Sequence, residues 1–201
     1  MIQYIKKLLR SPAYVLSFCV VLLCITLQYA GLDDVLRFER NEIDQGHWWL
    51  LLTGNFVHLG QSHLWMNMAG FALVVALVWS HFSARIWLLI ILFASLVVGL
   101  GLWRFNPEVG AYVGFSGTLH GLIIAGCLAD LRSYPKSAAT LLALVVAKLT
   151  WEQLSGPLPG SESTAGGSVV VDSHLYGAIG GAIIGSALLL PVFFRVRKTD
   201  D

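Results

Sequence analysis

Charge is scarce in this chain. Only 12% of its 201 residues are Asp, Glu, Lys or Arg, while 56% are hydrophobic, a balance too apolar for a water-soluble domain. The 13 basic residues are dispersed and form no cluster suited to phosphates, which excludes nucleic acid as an expected partner. Cysteine is equally sparse. Cys19, Cys24 and Cys127 lie inside apolar stretches, an odd number without metal-ligand spacing, so neither a disulfide framework nor a zinc site is expected. Glycine loops of the Rossmann or P-loop kind and the His-Glu-x-x-His arrangement are also missing, so no cofactor and no metal are expected.

What is present is apolar sequence in long blocks. Blocks of about 17 to 25 apolar residues read as spans, here at roughly 12–30, 63–80, 85–103, 116–131, 137–153 and 173–194, within one domain over residues 1–201. The expected fold is an all-α membrane protein, a bundle of six transmembrane helices with both termini on one side. Lys6, Lys7, Arg10, Arg85, Arg132, Lys136, Arg195, Arg197 and Lys198 fall on one predicted face, which the positive-inside bias makes cytoplasmic. Most acids, Glu152 and Asp172 among them, collect on the opposite face. The first block lacks a convincing small-residue cleavage site and reads as a retained helix rather than a signal peptide. The outer segment from Gly31 to Ser62 suits a partly embedded structure. The stretch from Ser155 to Ser168, rich in turn residues, suits a mobile cap.

Three polar motifs interrupt this apolar background: His63-x-x-x-Asn67, Gly114-Phe-Ser-Gly117 and His174-x-x-Gly177-x-x-x-Gly181. Each opens a span running from outside to inside. At about 1.5 Å per residue, Ser116 stands roughly 24 Å above the inner end of its span, and His174 and His63 roughly 26 Å above theirs. The three are level, with Asn67 one turn deeper. Gly177, Gly181 and Gly185 share a helix face with His174, and Gly114, Gly117 and Gly121 surround the serine, so the fourth and sixth spans can touch backbone to backbone. That contact brings a hydroxyl to an imidazole, with Ser116 as nucleophile and His174 as its base. His63 and Asn67, on one helix face, and the backbone N–H of Ser116 are donors for the oxyanion that attack on an amide creates. Strongly polar groups at such depth are costly, which favours function over packing. No acid is obviously placed behind the imidazole. Asp172 is only two residues from His174 and reads as an interfacial helix cap, so a dyad is expected rather than a triad.

In this order on six helices, the three motifs resemble the rhomboid family of intramembrane serine proteases, over roughly residues 40 to 195. The resemblance implies a Ser116/His174 dyad, an oxyanion site including His63 and Asn67, and a cavity open to the outer, periplasmic side of a bacterial inner membrane. It also implies lateral substrate entry near the second and fifth spans. His58 matches a family histidine of the outer loop. One departure is Leu50 after Trp49, where many rhomboids have arginine. The other is His120, where many have a tyrosine stacked on the catalytic imidazole. The run Gly114-Phe-Ser-Gly-Thr-Leu-His-Gly121 is similar to the rhombosortase branch, which implies exported substrates with a C-terminal tail of Gly-Gly, a hydrophobic helix and a basic end. Three roles stay open for His120: support of His174, substrate binding and packing.

Of the remaining polar and aromatic residues, Lys148 reads as snorkelling to the outer interface beside Trp151 and Glu152, with a site-facing role also open. Trp65, Trp79, Trp87 and Trp103 suit interfacial belts, and His47 and His81 an interfacial or exposed setting. Hydrolysis of the acyl-enzyme and its transfer to a lipid or amine both stay open. The competing readings are a general rhomboid protease cutting transmembrane substrates and a non-catalytic scaffold that binds membrane proteins.

Overall fold

A computed structural model describes residues 11–197 of the chain. Lys6, Lys7, Arg10 and Lys198, used above for orientation, lie outside the described residues, as do the side chains of Arg195 and Arg197. The long helices are α1 (Pro12–Tyr29), α5 (Gln61–Val78, ending in a 3-10 turn to His81), α6 (Ala84–Phe105), α7 (Ser116–Asp130), α8 (Pro135–Ser155) and α10 (Val171–Arg197). Between α1 and α5 lie the short helices α2 (Asp33–Leu36), α3 (Arg40–Asp44) and α4 (Leu50–Thr53) and the strand β1 (Phe38–Glu39). β2 (Ala111–Tyr112) precedes α7, and α9 (Ser161–Ala165) lies between α8 and α10. By length and composition, three helices among the described residues suit a membrane crossing, 12–29, 61–81 and 84–105. α7 has only 15 residues, about 22 Å of rise, and α8 carries Lys148 and Glu152. Helices that hold polar groups score low on hydropathy for that reason.

α7 is the centre of the bundle, packed against α5, α6, α8 and α10. It can be buried on all sides because it carries only small or apolar residues from Gly121 to Ala129. Its tightest neighbour is α10. A Cβ on Gly177 would overlap the carbonyl of Gly117, and one on Gly181 the carbonyl of Gly121. From the other side, a Cβ on Gly121 would stand 2.7 Å from the Gly177 carbonyl oxygen. No side chain separates the two backbones along this seam.

The segment from 31 to 60 is fastened by polar contacts. Phe38 pairs with Tyr112 and Glu39 with Ala111 in a two-strand antiparallel ladder. The Arg40 guanidinium donates to the carbonyls of Leu102 (2.8 Å), Trp103 (2.8 Å), Asn106 (2.7 Å) and Val109 (3.1 Å). These include the carbonyls that the end of α6 leaves unpaired, where a cation also complements the helix dipole. Leu50, the departure noted after Trp49, is buried among Phe38, Ile43 and Leu51. Asn55, Ser95 and Thr118 form a second buried knot joining this segment to α6 and α7, with Ser95 Oγ 2.7 Å from Thr118 Oγ1 and Thr118 donating to Asn55 at 3.2 Å.

The expectation for Trp79 and Trp87 is corrected. Both are buried and stacked at 4.2 Å. Their indole N–H groups donate to the carbonyls of Ala13 and Trp79, each at 2.8 Å. Partnered indoles are stable inside a core, and here they tie α1 to the turn before α6. His47 and His81 each meet an acid, Glu42 at 2.7 Å and Asp130 at 2.6 Å.

The glycine seam predicts a sharp contrast. Gly181→Ala must separate α7 from α10 and should cost about 1–3 kcal/mol. Gly110→Ala, where a Cβ meets nothing within 4 Å, should be neutral. Thermal unfolding in detergent compares the two.

Candidate active site

The approach to Ser116 is built by residues 112–115. Gly114 has φ +123°, and a Cβ there would lie 2.6 Å from His63 Cε1, so both backbone conformation and space demand glycine. Its N–H donates to the Gly54 carbonyl at 3.0 Å, and its carbonyl accepts from the Tyr112 hydroxyl at 2.8 Å. Burial pushes the Tyr112 phenol up to about 12, so it remains a donor. The buried Phe115 packs between Phe56 and Phe71, and α7 starts at the next residue. The N–H of Ser116 is therefore among those that the helix start leaves without an intrahelical partner.

His174, in the first turns of α10, is 5% exposed. Its Nε2 lies 3.0 Å from Ser116 Oγ. His63 and Asn67 are buried on one face of α5, next to Gly114. The Leu59 N–H donates to His63 Nδ1 at 3.4 Å, so the ring proton belongs on Nε2, the nitrogen on the side of Gly114. One Asn67 amide hydrogen goes back to the His63 carbonyl at 3.1 Å. The ring of His120 stacks on His174, centroids 4.4 Å apart and planes at 23°, and its Nδ1 donates to the Ser116 carbonyl at 2.8 Å. Gly117 lies under the backbone of Ser173, where a Cβ would stand 2.7 Å from the Ser173 carbonyl oxygen. The structure thus brings Ser116, His174, His63, Asn67, His120, Gly114 and Gly117 to one place.

Glu152 and Lys148 belong to the same place, Glu152 against expectation and Lys148 in line with its site-facing alternative. Glu152 is not an acid of the outer surface. It is 3% exposed, and its Oε2 lies 2.9 Å from His174 Nδ1, so the imidazole has an acid behind it after all and the two-residue dyad is corrected to three linked side chains. Lys148 does not snorkel to an interface but donates to Glu152 Oε1 at 2.7 Å. Their i, i+4 spacing places both on the face of α8 that meets the site, and that spacing was the available signal. Asp172, the nearer acid in sequence, accepts from Asn106 at 2.9 Å.

Ser116, His174, His63, Asn67, Lys148 and Glu152 line a cavity of about 390 Å³ that also meets Leu158, Ser161 and Ala165 of the 156–170 connection. That connection contains α9 and is held to the start of α5 by the Ser62 hydroxyl on the Thr164 carbonyl. His120, Glu152 and His174 present ligand-type atoms within 4.8 Å of one another. The Lys148 ammonium, 2.7 Å from Glu152 and 3.5 Å from His174 Nδ1, already supplies a cation there. A metal would have to displace it, so the donor set does not fit one. A polarised hydroxyl beside an imidazole, with N–H donors at the start of a helix, can perform acyl transfer.

The family model for the Rhomboid domain matches residues 45–191. Rhomboid protease GluP of Bacillus subtilis (strain 168) is 27% identical over 157 residues, covering 76% of this chain and 28% of its own length. The chain therefore spans under a third of that relative.

His58 is fully buried, with both ring nitrogens unpartnered among the described residues and its ring edge-on to His63 at 5.2 Å. Burial first, and then the neighbouring His63, push it down to about 3. Between the ordinary value of about 6.5 and that value, the unfolded chain holds a proton that the folded chain does not. Stability should therefore fall as pH drops below about 6.5, and His58→Phe should flatten that slope in thermal unfolding measured against pH.

Proposed function

Because the chain belongs to the rhomboid family and is an integral membrane protein, we propose that it is an intramembrane serine endopeptidase. The observation that carries this reading is the 3.0 Å approach of His174 Nε2 to Ser116 Oγ, within reach for proton transfer. In the proposed reaction Ser116 Oγ bonds to the scissile carbonyl carbon as its proton passes to His174 Nε2. The Ser116 N–H, His63 and Asn67 stabilise the oxyanion. The C–N bond then breaks, the amine leaves with the proton from His174, and an acyl-enzyme remains. Water then bonds to the acyl carbon as His174 takes its proton, the bond to Ser116 Oγ breaks, and the proton returns to that oxygen as the new C-terminus is released. Gly114 and Gly117 act by leaving room for His63 and for the α10 backbone.

The domain extends over residues 1–201. Its six long helices all span the inner membrane of a bacterium, with both termini cytoplasmic and the cavity opening to the periplasmic side. The distribution of basic residues supports this orientation. Within the family we assign the chain to the rhombosortase branch, cutting exported, membrane-anchored proteins at a C-terminal tail of Gly-Gly, hydrophobic helix and basic end. The histidine at 120, stacked on His174, supports that assignment, and the similarity to GluP supports the broader reading of a rhomboid protease of membrane-protein substrates.

Co-expression with an exported reporter bearing such a tail, read by mass, tests both. Wild type should remove the tail and Ser116→Ala should not. Cleavage of an unrelated spanning segment alone would leave the broader reading and remove the narrower. Inertness of a folded wild type toward both would favour the binding scaffold. With the tail substrate, His63→Ala and Asn67→Ala should each lower kcat by about 10- to 1000-fold with little change in KM.

A further inference from the structure

We infer that Glu152, held by Lys148, is the positioning acid of a Ser116–His174–Glu152 triad and sets the tautomer on which the serine chemistry depends. The inference rests on the protease reading and deepens it.

Two groups compete for His174 Nδ1. Glu152 Oε2 is at 2.9 Å and Lys148 Nζ at 3.5 Å, and the two demand opposite proton positions. A carboxylate only accepts, so it requires a proton on Nδ1 and leaves the lone pair on Nε2. An ammonium only donates, so it would require a bare Nδ1 and put the proton on Nε2. Only the first arrangement lets Nε2 take the Ser116 proton across 3.0 Å. The shorter distance and the opposite charge of the imidazolium to come both favour Glu152.

Lys148 makes this arrangement possible. A carboxylate that is 3% exposed is costly unless its charge is compensated. Lys148 compensates it from the same helix at 2.7 Å through the other oxygen, Oε1. The pair adds no net charge to the site. When the Ser116 proton reaches Nε2, the new positive charge lies between the Glu152 carboxylate and the developing oxyanion. The proton then departs with the leaving amine, and Nδ1 keeps its own throughout. His120 on α7 closes the remaining face of the ring by stacking. Its Nδ1 is committed to the Ser116 carbonyl. His63 lies across the cavity on α5. Asp172, on the same helix as His174, is turned to Asn106, which leaves Glu152 as the acid at Nδ1 among the described residues.

Glutamine is the informative replacement, because its amide can donate to Nδ1 and force the unproductive tautomer at almost unchanged volume. In the full chain reconstituted in bilayer discs, Glu152→Gln should lower kcat about 10²- to 10⁴-fold. KM should stay within about threefold, since the replacement impairs proton transfer and not substrate binding. Glu152→Asp should restore at least about tenfold of that loss. Labelling of Ser116 by a fluorophosphonate probe should slow in parallel. Nitrogen-15 shifts of His174 should report a proton on Nδ1 in wild type and on Nε2 in Glu152→Gln. Wild-type kcat and labelling rate in a Glu152→Gln protein with unchanged thermal unfolding would overturn the triad while leaving the protease intact. A wild-type His174 protonated on Nε2 would also overturn it. Failure of the protease reading appears separately, as a wild type no more active or labelled than Ser116→Ala, and the tautomer measurement still decides the arrangement in that case.

Discussion

The contact between α7 and α10 is the constraint on which the site depends. Gly117 and Gly121 face Gly177 and Gly181 with no side chain between them, so the separation of the helices is set by backbone atoms and not by rotamers. Ser116 and His174 lie one residue and three residues before the first glycines of the two rows. Their 3.0 Å approach is thus inherited from the seam. A single β-carbon in it would act on the hydroxyl-to-imidazole distance through the whole width of the bundle.

Around that seam the polar groups of four helices converge on one place. α7 contributes the hydroxyl and the stacked His120, α10 the imidazole, α8 the Lys148–Glu152 pair and α5 the His63–Asn67 face. In a low-dielectric interior such groups are worth more when satisfied and cost more when not. The segment between α1 and α5 holds the approach from the other side. The Gly54 carbonyl takes the Gly114 N–H, β1 pairs with β2, and Arg40 gathers four carbonyls at the end of α6. The loop that leads to Ser116 is fixed at both ends before the helix begins.

The sequence shows much of this at the level of periodicity and little of it at the level of side-chain direction. Long apolar blocks announce helices because the backbone must satisfy itself in lipid. Glycines at offsets of three, seven and eleven from His174 announce close contact because only glycine permits it. Glu152 is not legible in the same way. It lies 22 residues from His174 on another helix, and an acid near a helix end reads equally well as an interfacial group until the rotation of α8 is known. Trp79 and Trp87 mislead for a related reason, since tryptophan suits an interface and a core alike and the choice is made by whether a carbonyl awaits the indole N–H. Arg40, nine residues before Trp49, could not be assigned to the end of α6 without knowing which backbone carbonyls the chain brings to it.

The placement of the imidazole on α10 has a bearing on the order in which the molecule is made. A ribosome releases residues from the N-terminus onward, so the hydroxyl of Ser116, its helix start and the His63–Asn67 face all exist before residue 174 has been joined to the chain. Until α10 is synthesised and its glycine row docks, the serine is an ordinary alcohol in an incomplete bundle. The hydroxyl and the imidazole therefore meet only once α10 has docked against a helix made before it.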